Sequence, residues 1–337
     1  MKDIIKIMLS IIVLFISLFA KAQNEFEIKG NPIITHKLTA DPATLVHNDK
    51  LYLYASEDPY DPNARIPNPQ NWLVFSTTDM VTWIEYPIPL MKEAFKWALP
   101  QDNAWASHVV ERNGKFYWYA SIGGFFNREK SIGVAVSDSP TGPFVDAIGK
   151  PLITSSTLDA PSRWGDVDPS VIIDDDGQAY IFWGGGQCCY AKLKENMTEI
   201  DGEARTIDLP GFFAGAWVHY YKGKYYLSFG QGNLTTIGYA MSKSLDGPWD
   251  YIGQIGSPAK NCVTYQHAIT EFKGEWYFFY HNGAIPFVGG NFRRAVCIDR
   301  LYYNEDGTIQ KVQMTDNGIL STKEDAQKAI NENRRSI

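Results

Sequence analysis

Features that would mark several common protein classes are missing from this chain. No basic stripe stands apart from the acidic residues: the net charge is −7, with the two signs interspersed. That excludes nucleic acid as a partner, because phosphate backbones are held by clustered positive charge. Cysteine is scarce. The four present are Cys188, Cys189, Cys262 and Cys297. They include an adjacent pair but no Cys-x-x-Cys or Cys/His spacing, which excludes a zinc module. One disulfide or none is expected, and the spacing leaves open which pair would form it. Helical periodicity is almost absent apart from "TKEDAQKAINENRR" (Thr322 to Arg335). The apolar run from Met8 to Ala20 falls short of the roughly 20 residues that span a bilayer. Lys2 and Lys6 flank it, and "AKA" (Ala20 to Ala22) offers a cleavage site before Gln23, the pattern of a secretory signal peptide. Residues 1–22 are therefore expected to be removed, giving a secreted or periplasmic protein with no membrane attachment. An uncleaved N-terminal anchor is the alternative.

What the chain has in quantity is aromatic residues, 14% of the total. They fall into a repeat. Five segments share a turn residue, a polar residue and then alternating aromatics: "HNDKLYLYAS" (His47 to Ser56), "RNGKFYWYAS" (Arg112 to Ser121), "DDGQAYIFWG" (Asp175 to Gly184), "YKGKYYLSFG" (Tyr221 to Gly230) and "FKGEWYFFYH" (Phe272 to His281). Asn-Gly, Asp-Gly and Lys-Gly before such runs are hairpin signals, and a short apolar strand precedes each. Aligned tyrosines fall at Tyr52, Tyr117, Tyr180, Tyr226 and Tyr277. The intervals suit four short strands plus loops. A second set of turns, "STTDMVTW", "SDSPTGPF" and "SKSLDGPW", lands on an aromatic each time, as expected where outer strands connect. The repeat predicts an all-β fold, a five-bladed β-propeller over residues 23–321 with a charged tail at 322–337. A β-sandwich or barrel is the runner-up, and the periodic hairpins argue against it.

In a propeller the innermost strands line a central channel, and their starts converge at one end. Reading back from the aligned tyrosines gives Asp41, the "WASHV" segment (Trp105 to Val109), Asp168, Ala214 and His267. Asp41 and Asp168 both precede proline at matching register. Proline lacks an N–H and suits the first residue of a strand, so each Asp is expected at a strand mouth. "DDDG" (Asp174 to Gly177) lacks the spacing of a cation loop and is expected to be a hairpin turn. Trp105 and Trp217, near strand mouths, are candidates for stacking on sugar rings.

These segments together resemble glycoside hydrolase family 43, five-bladed propellers that hydrolyse xylosides and arabinosides. The resemblance runs from about Asn31 to Ile309. "ADPATLVHNDKLYLYAS" resembles the family's first blade, which implies Asp41 as general base. "WASHVVERNGKFYWYAS" resembles the second, where Ser107 stands at a position often held by Pro. "DVDPSVIIDDDGQAYIFWGG" resembles the third, which implies Asp168 as the residue that tunes the acid's pKa and orients it. "YQHAITEFKGEWYFFYHNG" resembles the fifth, which implies His267 in the channel, near a bound calcium held through water. "GGNFRRAVCIDRLYYNEDGTI" resembles the closing segment and implies that Arg293 or Arg294 faces the site. No cofactor is required for the chemistry. An inverting glycosidase needs one carboxylate to activate water and one acid to protonate the leaving oxygen, about 6.5–9.5 Å apart.

The departure is in blade four. Where the family has its acid Glu, "FFAGAW" has Ala214, and a methyl group cannot donate a proton. Glu203, upstream in an expected loop, offers no obvious substitute. Three readings follow: a hydrolase lineage with Ala in place of the acid, a glycan-binding pseudo-enzyme, or a structural propeller. The retained Asp41 and Asp168 argue against the third and favour the first. The expected partner is an oligosaccharide or polysaccharide. The loops at Ser56 to Trp72 and Phe95 to Ala106 favour exo action by walling off one end of a cleft. No appended carbohydrate-binding domain is expected.

Overall fold

The computed structural model describes residues 24–61, 68–124, 130–158, 165–232, 236–256, 260–262, 264 and 266–320. The expected signal segment and the charged tail lie outside them. Five antiparallel sheets follow one another along the chain. Blade 1 holds β1 (Asn24–Glu27), β2 (Thr39–His47), β3 (Lys50–Glu57), β4 (Asn71–Thr77), β5 (Thr82–Glu85) and the short β6 (Leu90–Met91). Blade 2 holds β7 (Asn103–Arg112), β8 (Lys115–Gly123), β9 (Ser131–Ser137) and β10 (Val145–Asp146). Blade 3 holds β11 (Ser170–Ile173), β12 (Ala179–Trp183), β13 (Cys188–Leu193) and β14 (Ile200–Ile207). Blade 4 holds β15 (Phe212–Tyr221), β16 (Lys224–Gln231), β17 (Thr236–Ser242) and β18 (Asp250–Gly256). Blade 5 holds β19 (Ala268–Phe272), β20 (Glu275–Asn282) and β21 (Ala295–Arg300). The strands β2, β7, β11, β15 and β19 each pack against the next, and β19 returns to β2, which closes the ring. The fold is a five-bladed β-propeller. The blades are less uniform than four strands each: among the described residues blade 5 has three, and blade 1 gains β1 on its outer edge.

The five hairpin signals become five turns of two kinds. Asn48-Asp49 has positive φ at both residues, as do Asn113-Gly114, Lys222-Gly223 and Lys273-Gly274. These are two-residue turns whose twist matches that of the flanking strands. The Asp174–Gly177 turn of blade 3 is longer, with Gly177 N–H donating to Asp174 O at 2.9 Å and only Gly177 in the left-handed region. It is a hairpin turn, as its spacing implied.

The aromatic repeat fills the spaces between blades. Trp72, Trp83, Trp118 and Trp183 are fully buried. Trp118 of blade 2 meets Tyr54 of blade 1 edge-on at 4.9 Å, and Phe144 at 5.0 Å. Such edge contacts are worth about 0.5–1.5 kcal/mol each beyond the area they bury. The high aromatic content therefore belongs first to the scaffold. All four cysteines are buried free thiols.

The ring is closed by a segment that leads from β1 to β2 along the outer strand of blade 5. Asn31 is its anchor. Its Nδ2 donates to Ile298 O at 3.1 Å, Asp299 Oδ2 at 3.0 Å and Thr315 O at 2.9 Å, while Oδ1 accepts from Ile298 N at 2.9 Å. Asn31→Ala leaves the Ile298 amide and the Asp299 carboxyl short of partners. The expected loss is about 1–3 kcal/mol of stability, read as a lower denaturant midpoint with an unchanged slope.

Candidate active site

Three inner strands begin with the same backbone irregularity. Ala43, Ser170 and Trp217 are paired at equivalent register, opposite Tyr54, Phe182 and Ser228. The residue two before each is Asp41, Asp168 or Gly215, and all three have left-handed φ, at 53°, 58° and 72°. Each also donates its N–H to the preceding blade: Asp41 to His281 Nδ1 at 3.0 Å, Asp168 to Ser121 Oγ at 2.9 Å, and Gly215 to Asp168 Oδ2 at 2.9 Å. Bulges that re-aim a side chain at the rim of a closed sheet arrangement are a recurrent device at functional sites. Here they turn the aspartates of blades 1 and 3 out of the regular alternation of the strand.

Asp41 is buried and held by Arg294. Arg294 Nη1 donates to Asp41 Oδ1 at 2.9 Å. The same guanidinium grips Asp58 with two parallel bonds, Nε to Oδ2 and Nη2 to Oδ1, each at 2.8 Å. The Arg294 backbone N–H adds a third at 3.0 Å. Burial alone would weaken this charge, but Asp41 and Asp58 outweigh it and raise the guanidinium further. His281 packs beneath Asp41. Its Nδ1 accepts the Asp41 N–H, so Nε2 carries the proton and donates to Thr264. Burial, then Arg294, depress this imidazole to about 3. It is neutral, and its approach to Asp41 is a hydrogen-bonding arrangement rather than an ion pair.

The environment of Asp168 differs. Burial pushes its carboxyl up, the Asp41 charge pushes it further, and together they bring it to about 7. The Gly215 N–H, Lys130 and Arg294 pull the other way without prevailing. Ala214, the residue before that N–H, is buried at the mouth of β15. Two aspartates near enough to perturb one another therefore share this end of the channel with a methyl group.

Residues 29–309 match the family model described as Glycosyl hydrolases family 43. The chain belongs to that family. It is 35% identical to an arabinoxylan arabinofuranohydrolase of Bacillus subtilis (strain 168), over 86% of this chain and 65% of that protein. It is 34% identical to another from Paenibacillus polymyxa, over 86% of this chain and 52% of that one. The chain thus spans less than two thirds of the length of either relative. A xylosidase/arabinosidase of Bacteroides ovatus is 32% identical over 82% of this chain and 95% of its own length. Among solved structures, an α-L-arabinofuranosidase from Clostridium thermocellum ATCC 27405 superposes with a TM-score of 0.71 at 36% identity, covering 86% of this chain and 98% of that one. A family 43 β-xylosidase/α-arabinofuranosidase from a compost metagenome, in complex with xylotriose, gives 0.74 at 27% identity, over 86% of this chain and 98% of that one.

Against the family resemblance, the other candidate residues divide. Of the two arginines, Arg294 reaches Asp41, whereas Arg293 donates to Val288 O at 2.6 Å and serves a loop. Trp217 does not offer a face to a sugar. It is 4% exposed, lies against the His108 ring at 4.6 Å, and donates to Ile269 O at 3.0 Å. It packs blades together, because its register points it between strands rather than out of the mouth. Trp105 is partly exposed and is held by its N–H on Gly123 O at 2.7 Å. His267 is wholly buried one residue past the bulge register, with Nε2 on Ser228 Oγ at 2.6 Å. Burial depresses it to about 3. Glu203 lies exposed on β14, the outermost strand of blade 3, and not in a loop. Asp58 and His281 were not singled out in the sequence. Two further Asp-Pro pairs, Asp58-Pro59 and Asp61-Pro62, were the available signal for the first, and nothing in the sequence separates them.

The raised Asp168 carboxyl makes stability depend on pH. Its folded pKa exceeds the unfolded value near 4, so the native state holds the extra proton between about pH 4 and 7. That contribution is full below about pH 4 and is lost as pH rises through about 7. Asp299, raised to about 6 mainly by burial, adds a loss that ends lower. Urea midpoints of Asp168→Asn and the unsubstituted chain should therefore diverge in slope against pH, with the Asn variant declining less between pH 4 and 7. Parallel curves would contradict the raised carboxyl.

Proposed function

We propose that this chain is built to bind the non-reducing end of a xylosyl or arabinofuranosyl glycan from plant cell walls and to direct water at its anomeric carbon with inversion. Ala214 removes the acid half of that chemistry. The observation that carries the reading is the pair of unequal aspartates at one end of the channel, one clamped by a guanidinium and one raised by burial and by its neighbour. Asp41, oriented by Arg294 and by its amide bond to His281, takes the proton of the attacking water. The C–O bond to the leaving group then breaks, and the departing oxygen needs a proton from the opposite side. Asp168 is engaged by the Gly215 N–H, which leaves it beside the acid position rather than in it. With a methyl at residue 214 the alkoxide leaves unassisted, so natural linkages are cut slowly or not at all.

The names of the relatives support xylosyl and arabinofuranosyl units as the substrate class. Exo action, export to the periplasm or medium, and an oligosaccharide or polysaccharide as the substrate belong to the same proposal. No cofactor enters the steps above. A calcium ion in the channel would be held only through water. Hard cations need several oxygen ligands, and among the described residues no group of three or more His, Cys, Asp or Glu converges. The groups that fit a hydrated ion are His267 Nδ1 and Gln266 Oε1, both buried without a partner.

A second reading is favoured by Ala214 itself: a glycan-binding propeller that does not hydrolyse. Ala214→Glu separates the two. It should raise kcat on natural xylosides or arabinofuranosides by about 10²–10⁴-fold, the usual worth of a general acid. Aryl glycosides with leaving groups that need no proton should be turned over by the unsubstituted chain, and Asp41→Asn should abolish that turnover. A Glu variant that binds oligosaccharide but gains no activity would sink the hydrolytic reading.

A further inference from the structure

The end of β8 brings a second cation to the catalytic mouth. Ser121, on that strand, accepts the Asp168 N–H at 2.9 Å. Two residues further, at the last position of β8, Gly123 O accepts the Trp105 indole N–H at 2.7 Å. Gly123 packs against Lys130, the residue before β9. A side chain on Gly123 would place its Cβ 2.9 Å from Lys130 Cγ and 3.0 Å from Lys130 Cα. Glycine is what permits so close an approach. The Lys130 stem is therefore laid against the strand end, and the residue is half-buried. Burial lowers its ammonium from the ordinary lysine value, and the Asp168 charge opposes that shift. Lys130 acts in return on Asp168.

The two cations of the mouth have different surroundings. Arg294 is committed to Asp58 and Asp41. Lys130 neighbours Asp168, which burial and the Asp41 charge raise to about 7, so that below this pH it holds its proton. Asp168 Oδ2 accepts the Gly215 N–H at 2.9 Å, which brings Ala214, an uncharged residue, to the same side. This side of the mouth thus presents an ammonium and a protonated carboxyl, and both are hydrogen-bond donors. An ammonium has three N–H groups and can take an added acceptor beside those it already has. A sugar hydroxyl gains a modest bond from such a wall. A carboxylate gains a charge-assisted one, about twice as strong.

We propose that Lys130 is a specificity-determining residue that selects acidic glycans: the ligand carries a uronosyl branch near the scissile bond, and its carboxylate sits on the Lys130 ammonium. The proposal rests on the glycan-active reading given above. Calorimetry compares xylotetraose with a xylotetraose bearing a glucuronosyl branch, at a pH below the Asp168 titration. The unsubstituted chain should bind the acidic glycan about three- to tenfold more tightly, the worth of one charge-assisted bond at a half-exposed site. That preference should shrink as salt is added, because screening weakens partly exposed pairs. It should vanish in Lys130→Met and persist in Lys130→Arg. Taking the ratio of the two affinities within each variant cancels any general damage to the site. The salt test and Lys130→Arg decide the matter even where Lys130→Met does not fold. Equal affinity for the two glycans overturns the assignment and leaves the glycan-active reading standing. So does a preference that salt leaves intact, that survives Lys130→Met or that Lys130→Arg fails to keep. Binding of neither glycan by the unsubstituted chain overturns the assignment and that reading together.

Discussion

One buried guanidinium organises the functional end of this propeller. Arg294 begins as the residue before β21, in the last blade, yet both of its partners, Asp41 and Asp58, belong to the first. The cation therefore fastens the ring at its seam and aims Asp41 in the same act. A charge removed from water costs several kcal/mol unless its partners are well placed. The bidentate bond to Asp58 and the single bond to Asp41 supply that placement. Removing either acid would leave a buried imbalance, so the geometry of the seam and the geometry of the site are held together.

Around this clamp the two aspartates are made unequal by their surroundings. Both occupy the same left-handed bulge, and both precede proline. One is paired with a permanent cation, and the other, half-buried, loses much of its hydration and faces its neighbour's charge, which favours the proton. Divergent environments for like groups are how a site assigns donor and acceptor roles. In the proposed function the arginine-paired carboxylate takes water activation and the raised one the modulating role, and no acid stands at Ala214.

The scaffold makes this arrangement rigid. Inner strands meet side by side around the ring, and aromatic pairs such as Tyr54 with Trp118 fill the wedges between blades. Amides at the strand mouths donate across blade boundaries, to Ser121, Asp168 and His281. Three of the five blade boundaries are thereby registered where the site lies. Trp217 belongs to this wedge packing, which explains why a tryptophan at a strand mouth need not face a sugar.

Sequence alone determined the repeat, the five hairpins and the two Asp-Pro mouths, and the family resemblance implied an acid position at Ala214. All of these are local: a turn dipeptide, alternating aromatics and a residue type at a fixed offset act over a few residues. The choice between Arg293 and Arg294 was not legible, since the two are adjacent in the segment that leads into β21 and only the packing of blade 5 against blade 1 says which one is inward. Asp58 and His281 were likewise hidden, because each meets Asp41 across more than the reach of any local pattern, Asp58 through Arg294 and His281 through the Asp41 amide. The tertiary structure also decided the protonation of Asp168, because desolvation and the nearness of Asp41 are properties of the closed ring and not of any segment in it.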